Sequence, residues 1–168
     1  MRRREQLTQA ELKAALWYDP DTGTFYNVVA RGARAQAGAI AGTRHSTGYW
    51  QIRLGGRIYL AHRLAFLYMT GEWPVAEVDH INGVHNDNRW VNLRDVSRAC
   101  NVENQRRAHT RSKSGLLGAS PHATMAGKWR ASICSGRKVR NLGTFDTSEE
   151  AHAAYLKAKR ELHEGCTI

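Results

Sequence analysis

Residues 78–97, VDHINGVHNDNRWVNLRDVS, place Asp79, His80, His85, Asp87 and four asparagines within the span of one hairpin. Asn and Asp are common in turns, where their side chains bond nearby backbone. An Asp-His pair directly after an apolar residue asks for more than a turn. Cutting a phosphodiester needs a base to deprotonate water, a cation to offset charge on the phosphate and departing oxygen, and a scaffold fixing both. His80 suits the base, because an unperturbed imidazole titrates near neutral pH. Asp79 offers a hard oxygen ligand for Mg²⁺ or Mn²⁺. A second oxygen ligand could come from the helix that follows, where Asn101 and Asn104 are three apart and so lie near one face. Adjacent strand residues point to opposite faces, so Asp79 and His80 share a site only if the strand gives way to the loop there. The plainer alternative is an Asn-rich hairpin whose side chains only satisfy its own backbone.

The elements that must position these residues can be read from the chain around them. LTQAELKAALWY reads as a short helix with Leu7, Leu12, Leu16 and Trp17 on one face, and DPDTGTFY as a turn into a strand. Residues 30–48 read as loop. YWQIRLGGRIYL is a hairpin turning at Gly55-Gly56, and AHRLAFLYMTGEWP a helix stopped by Gly71. His62, which begins that helix, reads as a structural histidine. EVDH is then a strand end, INGVHNDNRWVN a loop, LRDVS a returning strand, and SRACNVENQRR a helix with Ser97 as N-cap.

The pattern V-D-H-I-N-G-x-x-x-D-N-R-x-x-N-L-R, followed by a helix bearing Asn, closely resembles the HNH endonucleases of the phage and intron homing type. YDPDTGTFY and the hairpin-helix stretch GYWQIRLGGRIYLAHRLAFLYMTGEWP resemble that family as well, so the likeness covers roughly residues 10–107. It implies a ββα-metal nuclease core binding one divalent cation, Mg²⁺ or Mn²⁺. It further implies that His80 is the general base, that Asp79 and Asn101 are metal ligands, and that Asn92 pins the loop. Asn104 is the alternative to Asn101, and His85 falls in the variable part of the loop, outside the family's catalytic positions. The products would carry 5′-phosphate and 3′-hydroxyl ends. Arg89 and Arg94 are equally readable as phosphate braces or as surface arginines.

The composition agrees with a polyanionic partner. The 168-residue chain carries 25 Lys plus Arg against 15 Asp plus Glu, a net charge of +10, and double-stranded DNA is the partner expected. The excess is densest over residues 98–112, with four basic residues, Arg106 and Arg107 among them, and one acidic. Cys100, Cys134 and Cys166 have neither zinc-ribbon spacing nor an even count, so they read as reduced thiols. No apolar run is long enough to span a membrane and the N-terminus lacks a signal-type apolar stretch. No obligate protein partner is evident. The expected location is the cytoplasm of a bacterial host, from a phage or intron gene.

After the basic linker 108–113 the chain restarts. GLLGASPHA, GKWRASICSG and RKVRNLGTF read as three strands, and TSEEAHAAYLKAKRELHEG as a helix opened by a Thr147/Glu150 capping box. Residues 114–163 resemble an AP2-type DNA-binding domain, through S-G-x-x-G, K-W-R-A-S-I and L-G-T-F-D-T-S-E-E-A. That likeness implies a three-stranded antiparallel sheet packed on one helix, with the sheet in the major groove. Alternation puts Trp129, Ala131 and Ile133 on one face of its second strand and Lys128, Arg130 and Ser132 on the other. Arg137, Lys138 and Arg140 would join them across the turn, with a bulge near Gly143 needed to orient their strand.

The expected class is therefore α+β: a nuclease domain over residues 1–107 with its core motif at 78–107, a linker, and an AP2-like domain over 114–168. The function it implies is metal-dependent, site-directed cleavage of DNA. The rivals are a DNA-binding regulator on an inactive nuclease scaffold and a basic RNA- or ribosome-associated protein, the latter leaving Asp79-His80 idle.

Overall fold

A computed structural model of the chain describes residues 7–33, 35–135 and 138–163. It is a mixed α and β structure that divides into two compact units, Met1–Val96 and Ser97–Ile168. The division falls earlier than the boundary at residue 107 read from the sequence, so the helix after the second hairpin strand groups with the C-terminal unit.

In the first unit, α1 (Gln9–Ala15) starts at Thr8, whose hydroxyl caps the Glu11 amide while the Glu11 carboxylate bonds back to the Thr8 amide. The helix ends one turn sooner than its apolar spacing predicts. Leu16 is already extended and opens β1 (Leu16–Asp19), which pairs antiparallel with β2 (Thr24–Asn27). Leu12 and Leu16 are buried as expected, but Trp17 is 51% exposed, because strand alternation turns it away from the buried Leu16 and Tyr18 on either side.

Past β2, Ile40 makes an isolated antiparallel bridge to Tyr26, and a short β3 (Thr43–Arg44) joins β4 (Trp50–Leu54) and β5 (Arg57–Leu60) in an antiparallel sheet of order β3-β4-β5. α2 (Ala61–Thr70) buries Ala61, Leu64, Ala65 and Leu67 and stops at Gly71, whose amide bonds to the Leu67 carbonyl. Last comes the hairpin of β6 (Glu77–His80) and β7 (Leu93–Val96), with a single 3-10 turn, Trp90–Asn92, entering β7. One apolar core built on Leu12, Leu16, Tyr18, Phe25, Ile52, Leu64 and Leu67 underlies these pieces and reaches Val78 and Leu93 on the hairpin.

The second unit opens with α3 (Arg98–Glu103), capped by the Ser97 hydroxyl on the Cys100 amide. Three strands follow, β8 (Ala119–Pro121), β9 (Trp129–Ser135) and β10 (Lys138–Phe145), in the order β10-β9-β8. α4 (Ser148–Leu162) has both halves of the Thr147/Glu150 capping box. Its Ala151 packs on Ala119 and Ala131 at the centre of a small core. Small side chains let helix and sheet approach closely, and Gly118 marks the closest point. At φ +72° a Cβ there would lie 2.0 Å from the Tyr155 ring, which no side-chain adjustment could relieve. Among the described residues no helix is long and apolar enough to cross a membrane.

Candidate functional site

β6 sets the chemistry. Val78, Asp79 and His80 are all buried, and the pairing places Asp79 opposite Arg94 and His80 opposite Leu93. The strand runs through His80 and turns at once: the Ile81 amide bonds to the Asn92 carbonyl and the Gly83 amide to the His80 carbonyl. Asp79 and His80 therefore leave the last two strand positions on opposite sides, flanking the point where the loop begins.

His80 is 3% exposed. Its Nε2 lies 3.0 Å from the Asn88 Oδ1. An amide oxygen only accepts, so Nε2 carries the proton and the lone pair sits on Nδ1. Burial pushes the His80 imidazole below its ordinary value of 6.5, opposed by the bond to Asn88. The ring is thus a neutral base at physiological pH with a defined tautomer.

Asn88 is the residue the sequence reading left without a role, and the structure shows how it is fixed. It is 3% exposed, and the β1–β2 hairpin grips the backbone around it. The Tyr18 hydroxyl donates to the Asn88 carbonyl at 2.6 Å, and the Trp90 amide donates to the Pro20 carbonyl at 2.9 Å. Burial raises the Tyr18 phenol well above its usual range and keeps it a donor. Gly23, at φ +73°, lies so close that a Cβ would stand 2.4 Å from the Asn88 carbonyl carbon and the Arg89 nitrogen. The turn DPDTG is therefore a buttress for the partner of His80. The D-N-R tripeptide was the available signal for Asn88, but its partner lies 70 residues away in sequence.

Asn92 ties the loop together. Its Oδ1 accepts from the Asn82 amide at 3.0 Å, and its Nδ2 donates to the Asp87 carbonyl at 2.7 Å and to the Asn82 Oδ1 at 3.1 Å. Asn82 in turn donates from Nδ2 to the Asp87 carboxylate and accepts the Val84 amide. Asn92→Ala is expected to lower stability by about 2 kcal/mol, since it strips partners from partly buried backbone groups of Asn82 and Asp87. Urea titration of the two proteins measures this, and an unchanged midpoint would refute the pinning.

The two arginines of the hairpin both meet carboxylates. Arg89 holds Asp87 through Nε and Nη2, at 2.8 and 2.6 Å, and is the main reason that carboxyl is held down at about 2. Arg94 grips the Asp79 Oδ2 from the facing strand, at 2.9 and 2.7 Å.

Three further aromatic rings close on His80. His62, from the first turn of α2, meets it edge-on with ring centres 5.1 Å apart. Tyr49, from the turn before β4, lies 5.2 Å from His62, 6.0 Å from His80 and 4.3 Å from His85, with which it stacks at 5°. His62 is 5% exposed, its Nδ1 is sealed with no hydrogen-bond partner among the described residues, and burial pushes it down to about 3. His85 is exposed on the loop, with Nδ1 3.4 Å from the Thr47 carbonyl. Burial, aided by the charges of Asp79 and Glu77, raises the Tyr49 phenol.

Among the described residues no group of three or more His, Cys, Asp and Glu side chains is disposed to hold a metal. The donor chemistry of the site is one buried carboxylate. That set suits a Mg²⁺-type cation, which keeps several waters and takes one or two carboxylates with substrate phosphate oxygens. Asn101 and Asn104 stand on and just after α3 in the second unit, Asn104 with its amide on the Cys100 carbonyl and 4% exposed, Asn101 less buried.

On the β8–β9–β10 sheet the structure rearranges the expected basic face. Arg130 pairs with Ser120 and Thr144, and Ser132 with Asn141, so these share the face away from α4. Lys138 and Arg140 instead pair with Ser135 and the buried Ile133, which assigns them by register to the other face, although both are exposed. The bulge near Gly143 is present, between Asn141 and Gly143, but it lies beyond them and restores the register only for Thr144 and Phe145. Lys128 is ion-paired with Asp146. Arg137 lies outside the described residues, and Arg106 and Arg107 are exposed after α3.

Comparison with known proteins points to the same segment: residues 59–103 match the family model of HNH endonucleases. The matched stretch contains Asp79, His80, Asn88, Asn92 and Asn101, and it supports a nuclease, whose substrate would be DNA. It ends before the residues that resemble an AP2 domain. No curated protein and no solved structure matches the chain.

Proposed function

We propose that the chain is a divalent-metal-dependent DNA endonuclease of the HNH homing or phage type, in which residues 114–163 serve as an AP2-like DNA-binding module. The observation that carries this reading is the buried, tautomer-fixed His80, next in sequence to the buried Asp79, inside the segment that matches the HNH family.

His80 Nδ1 takes a proton from the attacking water, while Asn88 holds Nε2–H and fixes the plane of the ring. Asn92 keeps the loop from collapsing across the site. Asp79 would hold the cation, which when bound supplies the charge that stabilises the phosphate and departing oxygen; Asn101, rather than Asn104, is the second oxygen ligand that the family resemblance implies. Arg94 holds the Asp79 carboxylate in place from β7. Phosphate binding by Arg89 would require loosening its bond to Asp87, so Arg89 is a structural arginine in the resting site. The outer face of the β8–β9–β10 sheet, with Arg130, Ser132, Asn141 and Thr144, presents one cation among neutral donors and acceptors. That mixture suits base edges in the major groove better than a purely electrostatic grip.

The test is conversion of a supercoiled plasmid carrying the gene's flanking DNA, in Mg²⁺ and in EDTA. Relaxed or linear product in Mg²⁺ that disappears in EDTA is expected. Gel-shifted but uncut DNA in Mg²⁺ and Mn²⁺ would reject the nuclease in favour of a DNA-binding regulator.

A further inference from the structure

We propose that His85 is the general acid of the cleavage, giving its Nε2 proton to the departing 3′ oxygen. The proposal rests on the nuclease reading above and assigns a catalytic role to a residue outside the family's positions.

In an in-line displacement the attacking and departing oxygens lie on opposite sides of phosphorus, so a base and an acid must stand apart with a phosphate between them. The ring centres of His80 and His85 are 6.3 Å apart and their planes inclined by 48°. That leaves room for an oxygen at hydrogen-bond distance, about 2.8 Å, from each ring. Both rings border Tyr49.

The environments of the two rings divide the roles. His80 is buried with its Nε2–H held by Asn88, which leaves Nδ1 as the nitrogen that accepts a proton. His85 is exposed, so water can return its proton after each turnover. Its orientation is nonetheless fixed, by face-to-face stacking on Tyr49 and by Nδ1 against the Thr47 carbonyl. A carbonyl only accepts, so Nδ1 keeps its hydrogen before and after the reaction, and Nε2 is the nitrogen that gives one up.

The step balances. The water oxygen bonds to phosphorus and its proton moves to His80 Nδ1. The bond from phosphorus to the 3′ oxygen breaks with its electron pair on oxygen, and that oxygen takes the His85 proton. A 5′-phosphate and a 3′-hydroxyl result.

The experiment compares an ordinary duplex with one carrying sulfur in place of the 3′ bridging oxygen at the cleavage position mapped on the plasmid. Both are cut by the full chain in Mn²⁺, which tolerates sulfur. A departing thiolate needs no proton. His85→Ala and His85→Asn are expected to slow cleavage of the oxygen ester by about 10²-fold, with DNA affinity and melting temperature unchanged, and to cut the sulfur ester nearly as fast as the unaltered chain. Equal loss on both esters would make His85 a phosphate contact or packing residue and overturn the proposal, as would no loss on the oxygen ester. If the unaltered chain cuts neither duplex, or cutting survives His80→Ala, the nuclease reading itself falls.

Discussion

His80→Ala is expected to abolish metal-dependent cleavage while leaving affinity for duplex DNA nearly unchanged. The side chain is 3% exposed at the end of β6, so it adds little to a DNA-facing surface, and removing it cannot greatly alter phosphate contacts made elsewhere. What it removes is the one neutral imidazole whose tautomer is fixed by Asn88. General-base catalysis contributes about 10²–10⁴-fold, which in a plasmid assay reads as loss of product. The pH dependence follows from the same surroundings. Because burial lowers the His80 imidazole from 6.5, the base stays unprotonated somewhat below the pH at which a free imidazole would be half charged. Cleavage should therefore hold up on mild acidification. Single-turnover rates between pH 5 and 8, with DNA affinity measured in EDTA, check both statements. Parallel loss of affinity and cleavage in the variant would remove His80 from the chemistry.

The second large effect concerns stability. His62 is held down to about 3 in the folded chain, first by burial and then by the neighbouring His80, Arg63 and His85. In the unfolded chain it returns to 6.5. The folded state thus binds fewer protons throughout that interval, so the stability His62 contributes is fully present above about pH 6.5 and drains away as pH falls toward 3. At 1.36 kcal/mol per unit, the loss between pH 7 and pH 5 is about 2 kcal/mol, a large part of the stability of a small domain. His80 adds to it with the same sign. Few carboxylates titrate in that window, so the effect can be isolated. Urea titrations at pH 7 and pH 5 should show the drop in the parent and a much smaller one in His62→Gln. The same drop in both proteins would mean that His62 is not the proton-sensitive group. The unpartnered Nδ1 of His62 makes the neutral ring itself costly, so the glutamine variant need not be less stable at pH 7.

Much of the local structure was legible in the residues. Thr147 with Glu150 announced a helix start that the structure contains; Thr8 with Glu11 form the same box at a start that was read only from apolar spacing. The Gly55-Gly56 turn, the stop at Gly71 and the bulge before Gly143 are where the sequence placed them. Each depends on the conformational preferences of a few adjacent residues, and neighbours in sequence are neighbours in space whatever the rest of the chain does. The role of Asn92 came from the family resemblance rather than from its neighbours, and its partners Asn82 and Asp87 lie within ten residues.

The failures have the opposite character. Periodicity carried α1 through Trp17, but pairing with β2 took Leu16–Asp19 into a strand. Lys138 and Arg140 were expected to join Arg130 across the turn with the help of a bulge near Gly143, whereas register with β9 assigns them to the opposite face. The site shows the contrast most clearly. The order of residues is enough to place Asp79 next to His80 and an Asn-rich loop after them. Chain packing is what brings Asn88 onto the His80 imidazole, the β1–β2 hairpin onto Asn88, and His62, Tyr49 and His85 around His80. Those contacts join four separate parts of the chain, and their geometry is set by how one shared core packs. No spacing along the chain encodes that.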